Sequence, residues 1–234
     1  MTQKILLSTL MLLFGFNAMT QDLTKPPMGP YSIGIYGGVN FQNINGKDAS
    51  GSTLENSLTT KFNFGINQEI PVAPEFFIQI GLQYIGKGAT ENLMYNSKPL
   101  TRKVGINYIE MPINFLYKPL VGKGHVLFGF GPYVGYGFMG KAKITSDNYN
   151  GDQNIKFANT VSLADPNNPT TGVYFKRLDV GANIFVGYEF ANNITLTFTS
   201  QLGLININPK NNTLPNSKIA NKNTGFGLTL GYRF

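Results

Sequence analysis

The stretch Asn223-Thr224-Gly225-Phe226-Gly227-Leu228-Thr229-Leu230-Gly231-Tyr232-Arg233-Phe234 decides the fold. Phe226, Leu228, Leu230, Tyr232 and Phe234 share one side of an extended chain, and Gly225, Gly227, Thr229, Gly231 and Arg233 share the other. Successive side chains of a strand point to opposite faces, so this is a strand with one unbroken apolar face. Alternation by itself does not say whether that face meets a protein core or lipid. The other face decides. The water-facing side of a soluble sheet has no use for Gly, which weakens a strand. The lumen of a narrow eight-stranded barrel does, because its own side chains nearly fill it. The apolar stripe therefore reads as lipid-facing and the Gly-rich side as the lumen.

Working back along the chain, the same period of two recurs in segments 31–41, 58–70, 76–86, 104–118, 125–140, 174–190 and 194–208, which with 223–234 makes eight. In the sixth, Leu178, Val180, Ala182, Ile184, Val186, Tyr188 and Phe190 oppose Arg177, Asp179, Gly181, Asn183, Phe185, Gly187 and Glu189. Each segment has about 11 residues or more. A tilted strand needs about 9–11 to cross a bilayer, against a mean of about 5–6 in soluble sheets. The connectors alternate: 71–75, 119–124 and 191–193 are tight, whereas 42–57, 87–103, 141–173 and 209–222 are long and polar. Short periplasmic turns and long outer loops are the pattern of bacterial outer-membrane barrels. In the longest gap, 143–146 and 155–163 extend the flanking strands or form an extra hairpin.

Composition agrees. Charged residues are 13% of the chain, about half the usual share of about 25%. Aromatics are also 13%, with 18 Phe and 12 Tyr but no Trp, and there are 27 Gly. A lipid-facing band tolerates so little charge; a solvated surface does not. The absence of Cys excludes disulfides, thiol nucleophiles and Cys-ligated metals. Residues 1–20 read as a signal peptide, with Lys4 as the positive n-region, an apolar run over 5–16 too short to span a bilayer, and a cleavage region at Ala18–Thr20. Residues 21–234 are left as one all-β domain, a single antiparallel up-and-down transmembrane barrel.

At this point the chain resembles a known family. Tyr108-Ile109-Glu110-Met111-Pro112-Ile113-Asn114-Phe115-Leu116-Tyr117-Lys118 resembles a strand of PorT-like "porin family" outer-membrane β-barrel proteins. Gly131-Pro132-Tyr133-Val134-Gly135-Tyr136 and Asp179-Val180-Gly181-Ala182-Asn183 resemble that family's following strands. The closing Gly231-Tyr232-Arg233-Phe234 is similar to the C-terminal aromatic signal read by the outer-membrane assembly machinery, which puts Tyr232 and Phe234 in that role. The resemblance implies the outer membrane of a Gram-negative cell and a small barrel of OmpA or OmpX size. Members mostly lack a defined activity, and the secretion role of PorT itself does not carry over with the shared barrel motifs.

The lumen face is expected to carry Lys61, Glu69, Glu110, Arg177, Asp179, Glu189 and Arg233, which pair with one another and plug the interior. Other chemistry lacks its context. His125 is the only His and falls at a short turn, without a nucleophile and an orienting acid. Glu110 and Asp179 have no substrate position between them. Gly129-Phe130-Gly131-Pro132 lies inside a strand with no following helix, so it is not a phosphate loop. No cofactor or metal is expected.

The net charge of +7 does not gather into a nucleic-acid stripe. Lys87, Lys98, Arg102, Lys103, Lys210, Lys218 and Lys222 fall in expected outer loops, with Glu91 against them. Attraction to phosphorylated lipopolysaccharide explains them more economically, and loop solubility explains them more simply. The expected partners are outer-membrane lipids, lipopolysaccharide, the assembly machinery and a protein reached through the outer loops. The leading reading is a structural or interaction barrel without a readable activity. The alternatives are a narrow pore or an accessory of a transport or secretion system, a barrel enzyme, and a soluble lipocalin-like binder.

Overall fold

The computed structural model describes residues 31–48, 50–95, 98–146, 149–163, 172–213 and 217–234. The expected signal peptide lies outside them. Eight long strands form the wall: β1 Ser32–Lys47, β2 Thr59–Ala73, β3 Phe76–Tyr95, β4 Lys98–Tyr117, β5 Gly124–Ser146, β6 Leu178–Glu189, β7 Ile194–Gly203 and β8 Ala220–Arg233. Each pairs antiparallel with the next. β8 pairs back onto β1, from Gly34 opposite Arg233 to Lys47 opposite Ala220. The ring therefore has no free edge in the bilayer, and its backbone groups are satisfied without water.

The three tight turns carry positive φ where the chain reverses: Glu75 at 65°, Gly122 at 67° and Asn193 at 64°. At the third, Asn193 donates its N–H to the Phe190 carbonyl and the Asn192 side chain accepts from the N–H of Ile194. Asn is a common non-Gly residue in this left-handed region.

The faces fall as the alternation requires. Leu228, Leu230, Tyr232 and Phe234 are exposed on the outside, and Gly225, Gly227, Thr229 and Arg233 are buried. Around the ring Phe62, Phe64, Ile109, Phe130, Tyr136, Ile184, Val186 and Phe198 are exposed as well. Glu69, Glu110 and Asp179 are fully buried. A soluble barrel has the opposite arrangement. Gly129 shows why the lumen needs glycine: a Cβ there would stand 2.2 Å from the Phe185 ring across the pair.

Several strands run further than the sequence reading placed them, among them β1, which continues through 42–47. Residues 87–95 and 98–103, read as loop, continue β3 and β4 into one tall hairpin. β5 continues to Ser146 and pairs there with Tyr149–Asn154, so part of the longest gap is an added hairpin. The sixth and seventh strands are shorter than expected. Tyr174–Phe175 leaves the wall to pair in parallel with Lys156–Phe157. Residues 204–208 likewise leave it after Gly203.

In these extensions the polarity of the two faces inverts. Along β4 the inward side chains change from Asn114 and Glu110 to Tyr108, Ile106 and Val104, all buried. The outward ones change from Ile113 and Ile109 to Asn107, Gly105 and Lys103. Along β5 the exposed Tyr136, Phe138 and Met139 give way to exposed Lys141 and Lys143, while Ala142 turns inward and is buried. Lipid demands apolar residues outside and leaves the polar ones for the lumen; water demands the reverse. The inversion marks the outer edge of the hydrocarbon. Phe128 to Met139 covers about 28 Å at a tilt of about 40°, against an apolar band of about 25 Å in such barrels.

Candidate functional site: the filled lumen

β strands project every second side chain inward, so charges from distant parts of the chain meet on the axis. Near the periplasmic end, Glu69 of β2 and Glu189 of β6 share two cations. Arg233 reaches Glu69 at 2.7 Å and Glu189 at 3.2 Å. Lys118, just after β4, reaches them at 3.1 and 2.8 Å. Ser32 donates its hydroxyl to Glu69 and Gln79 donates its amide to the same carboxylate. Two positive charges meet two negative ones.

Higher in the barrel a second cluster centres on Lys87 of β3, fully buried. Its ammonium lies 2.6 Å from Glu110 Oε2 and 3.0 Å from Asp179 Oδ2, and 4.0 Å from the centre of the Tyr133 ring. Glu110 Oε1 accepts from the amides of Gln83 and Gln201, each at 2.7 Å. Asp179 Oδ2 accepts from Asn223 at 2.9 Å and from the Tyr133 hydroxyl at 3.4 Å. Tyr36 donates to Gln83. The cluster cross-links β1, β3, β4, β5, β6, β7 and β8 through side chains alone. Charge-assisted hydrogen bonds of this kind are about twice as strong as neutral ones.

Between the two clusters lies a cavity of about 90 Å³ lined mainly by amides and hydroxyls. Asn40, Asn63, Asn67, Asn114 and Gln201 are among its lining residues, and the side-chain carbonyl oxygen of each is buried without a protein donor. A volume of this size accommodates several waters, at roughly 10–15 Å³ of such space for each. Above the Lys87 cluster the mouth is closed by an apolar core of Ile44, Ile85, Ala89, Val104, Ile106, Tyr108, Ala142, Ile155, Phe175 and Ile207. Ile155, Phe175 and Ile207 come from the segments that leave the wall and fold back over it.

The model of the outer membrane protein beta-barrel domain family matches residues 19–208. The chain belongs to that family. It is an outer-membrane β-barrel protein. No curated protein matches it. Among solved structures it is similar to Ail, the attachment invasion locus protein of Yersinia pestis, solved with the heparin analogue sucrose octasulfate. That similarity has 13% identity and a TM-score of 0.39, and covers 88% of this chain and 100% of Ail. Neisserial surface protein A is similar at 7% identity and a TM-score of 0.38, with 89% of this chain and 100% of that one covered. The outer membrane protein AlkL follows at 11% identity and a TM-score of 0.31, covering 92% and 97%.

Within this family barrel the seven residues expected in the lumen part company. Glu69, Glu110, Asp179, Glu189 and Arg233 are brought together inside as described. Arg177 is not: β6 begins at Leu178, and Arg177 is exposed at the outer rim, where its Nη1 donates to the Gly137 carbonyl at 3.0 Å. Its guanidinium stacks over Phe157 and Tyr136. Lys61 is not brought inside either: it has the inward parity, opposite Asn40, but its side chain lies over Gly86 and its Nζ beside Gly105, both of which face outward; it is half-exposed, and among the described residues it forms no ion pair. Lys87 and Lys118 are the cations that the sequence reading missed. Lys87, assigned to an outer loop, is at the centre of the upper cluster. Parity held the signal for both: Gln79, Gln83 and Lys87 share a face of β3, as do Glu110 and Asn114 on β4, with Lys118 in step one residue past its end. His125 is half-exposed at the periplasmic turn, 3.9 Å from Glu189. Tyr232 and Phe234 face outward with their rings 5.0 Å apart, and the Phe234 N–H donates to Ile33.

Proposed function

We propose that the protein is a sealed outer-membrane barrel with a structural or interaction role, acting through its outer wall and loops instead of through a conduit. The observation that supports this is the stacking of four fillings along the axis: the Glu69–Arg233–Lys118–Glu189 layer, the small polar cavity, the Lys87 cluster and the apolar mouth. In this reading the five inward acids and bases of the sequence analysis, with Lys87 and Lys118, pair with one another as a plug, four carboxylates sharing three cations. No carboxylate is left to act on a substrate, so no catalytic role is proposed. The strand 108–118 supports kinship with the PorT-like barrels. Residues 1–20 act as the export signal, residues 21–234 form the mature domain, and Tyr232 and Phe234 engage the assembly machinery during insertion. Lipids and lipopolysaccharide surround the finished wall.

Purified barrel in planar bilayers tests the seal. The expected result is no steady conductance, because nothing wider than a few waters separates the ion-pair layers. A steady conductance from the intact barrel overturns the seal and favours the pore reading.

A further inference from the structure

Above the inversion point, the outer wall carries cations on adjacent strands with little to balance them. Lys103 of β4 is directly opposite Lys143 of β5, and Lys141 is opposite Gly105, one outward step below. All three lysines are exposed, and among the described residues none forms an ion pair. Like charges directly across a strand pair are destabilising. Arg177 adds a fourth exposed cation beside β5, with Nη1 held by the Gly137 carbonyl and the other N–H groups left for a ligand. The acid on the same face is Asp152, opposite Lys143 on the far side. The ammonium of Lys61 lies beside Gly105 on the same face, so five positive charges against one negative leave a surplus of four.

The height of the patch is the second observation. Lys141 is the next outward residue after Met139, which with Tyr136 and Phe138 ends the exposed apolar belt. At about 3.4 Å per residue and a tilt of about 40°, Lys141 stands about 5 Å above Met139, and Lys143 and Lys103 about 10 Å above. Hydrocarbon about 30 Å thick in a bilayer of about 40–45 Å leaves a headgroup layer of about 5–7.5 Å on each side, so Lys141 stands within it and Lys143 and Lys103 just above it, where their long side chains reach down to it. A ligand seated here on the wall has its apolar part against Tyr136, Phe138 and Met139.

We propose that Lys103, Lys141, Lys143 and Arg177 form a docking site on the outer wall for the phosphate groups of an outer-leaflet glycolipid. Lysine and arginine both suit phosphate, and a lipid-borne phosphate meets the cations and the belt at once. The site is outside the barrel, so its test is independent of whether the lumen conducts.

The test uses the intact barrel in phosphatidylcholine nanodiscs doped with bis-phosphorylated lipid A or with its dephosphorylated form, with retained lipid counted by native mass spectrometry. The wild-type barrel is expected to retain the phosphorylated form selectively. Lys103→Gln with Lys143→Gln should lower retention about tenfold or more, at about 1 kcal/mol for each basic residue near a charged surface. Lys103→Arg with Lys143→Arg should restore it, and heat-modifiable gel mobility checks that each variant is folded. Equal retention of dephosphorylated lipid A, or full retention by the folded Gln variant, overturns the proposal. Capture of inorganic phosphate without retention of lipid A also overturns it, and reassigns the patch to a soluble anion.

Discussion

Lys87→Met is expected to lower the unfolding free energy of the barrel by about 3–5 kcal/mol, the usual cost of removing one partner from a buried ion pair. The substitution keeps the volume and the contacts with Tyr108 and Tyr133, but leaves Glu110 and Asp179 fully buried without their shared cation. The loss comes from the stranded carboxylates more than from the attraction removed, since buried pairs replaced whole by uncharged groups cost little. The triple variant Lys87→Met, Glu110→Gln, Asp179→Asn should therefore recover most of the stability. Urea titration in detergent, read by the loss of the heat-modifiable gel band, gives both values. An unchanged midpoint for Lys87→Met would show that the cluster does not hold the staves together.

Leu230→Arg is expected to cost about 2–4 kcal/mol, the penalty for a cation on the lipid face near the bilayer midplane. Leu230 is 61% exposed on the outside of β8. It lies four residues above Phe234, about 10 Å at the usual rise and tilt, close to the middle of an apolar band of about 25 Å. Its neighbour Thr229 faces the lumen and donates to the Thr197 carbonyl. Thr229→Ser keeps the hydroxyl and should change little. Refolding yield into vesicles, with the same titration, separates the two. A harmless Leu230→Arg beside a damaging Thr229→Ser would mean that the faces of this strand are inverted and that the lipocalin-like reading is the better one.

How far the chain could be read follows from where its rule holds. Between the interfaces one rule governs every strand, apolar outside and polar or Gly inside, and the eight staves, their faces and the closing pair were legible from parity. Glu110 and Asp179 were legible in the same way. Beyond the outer interface the rule reverses, because the solvent outside changes from lipid to water. Val104, Ile106 and Ala142 then become core, and Lys103, Lys141 and Lys143 become surface. Read with one rule, the strands stop where the polarity changes, which is why 87–103 reads as a loop. Lys87 lies at that change, so ending β3 at Gly86 removed the central cation from the lumen. Between Asn107 and Tyr108 the register with β5 also shifts by one residue, placing both Phe138 and Met139 outside. Arg177 failed for a different reason. It has the parity of Asp179, but β6 begins one residue later, and past the end of a strand parity no longer fixes which way a side chain turns. The cap made by Ile155, Phe175 and Ile207 rests on contacts between distant segments that no local period encodes.

The central claim is that lipid lies outside this barrel and the charges lie inside it. The chain has no Cys, so a single cysteine at each position from 225 to 234 carries one label at a known place. Fluorescence from an environment-sensitive label on each variant, refolded into vesicles, can be quenched from the hydrocarbon by brominated acyl chains. The structure predicts a period of two, with strong quenching at 226, 228, 230, 232 and 234 and weak quenching between them. Strong quenching at the odd positions, or none at any position, would contradict the account.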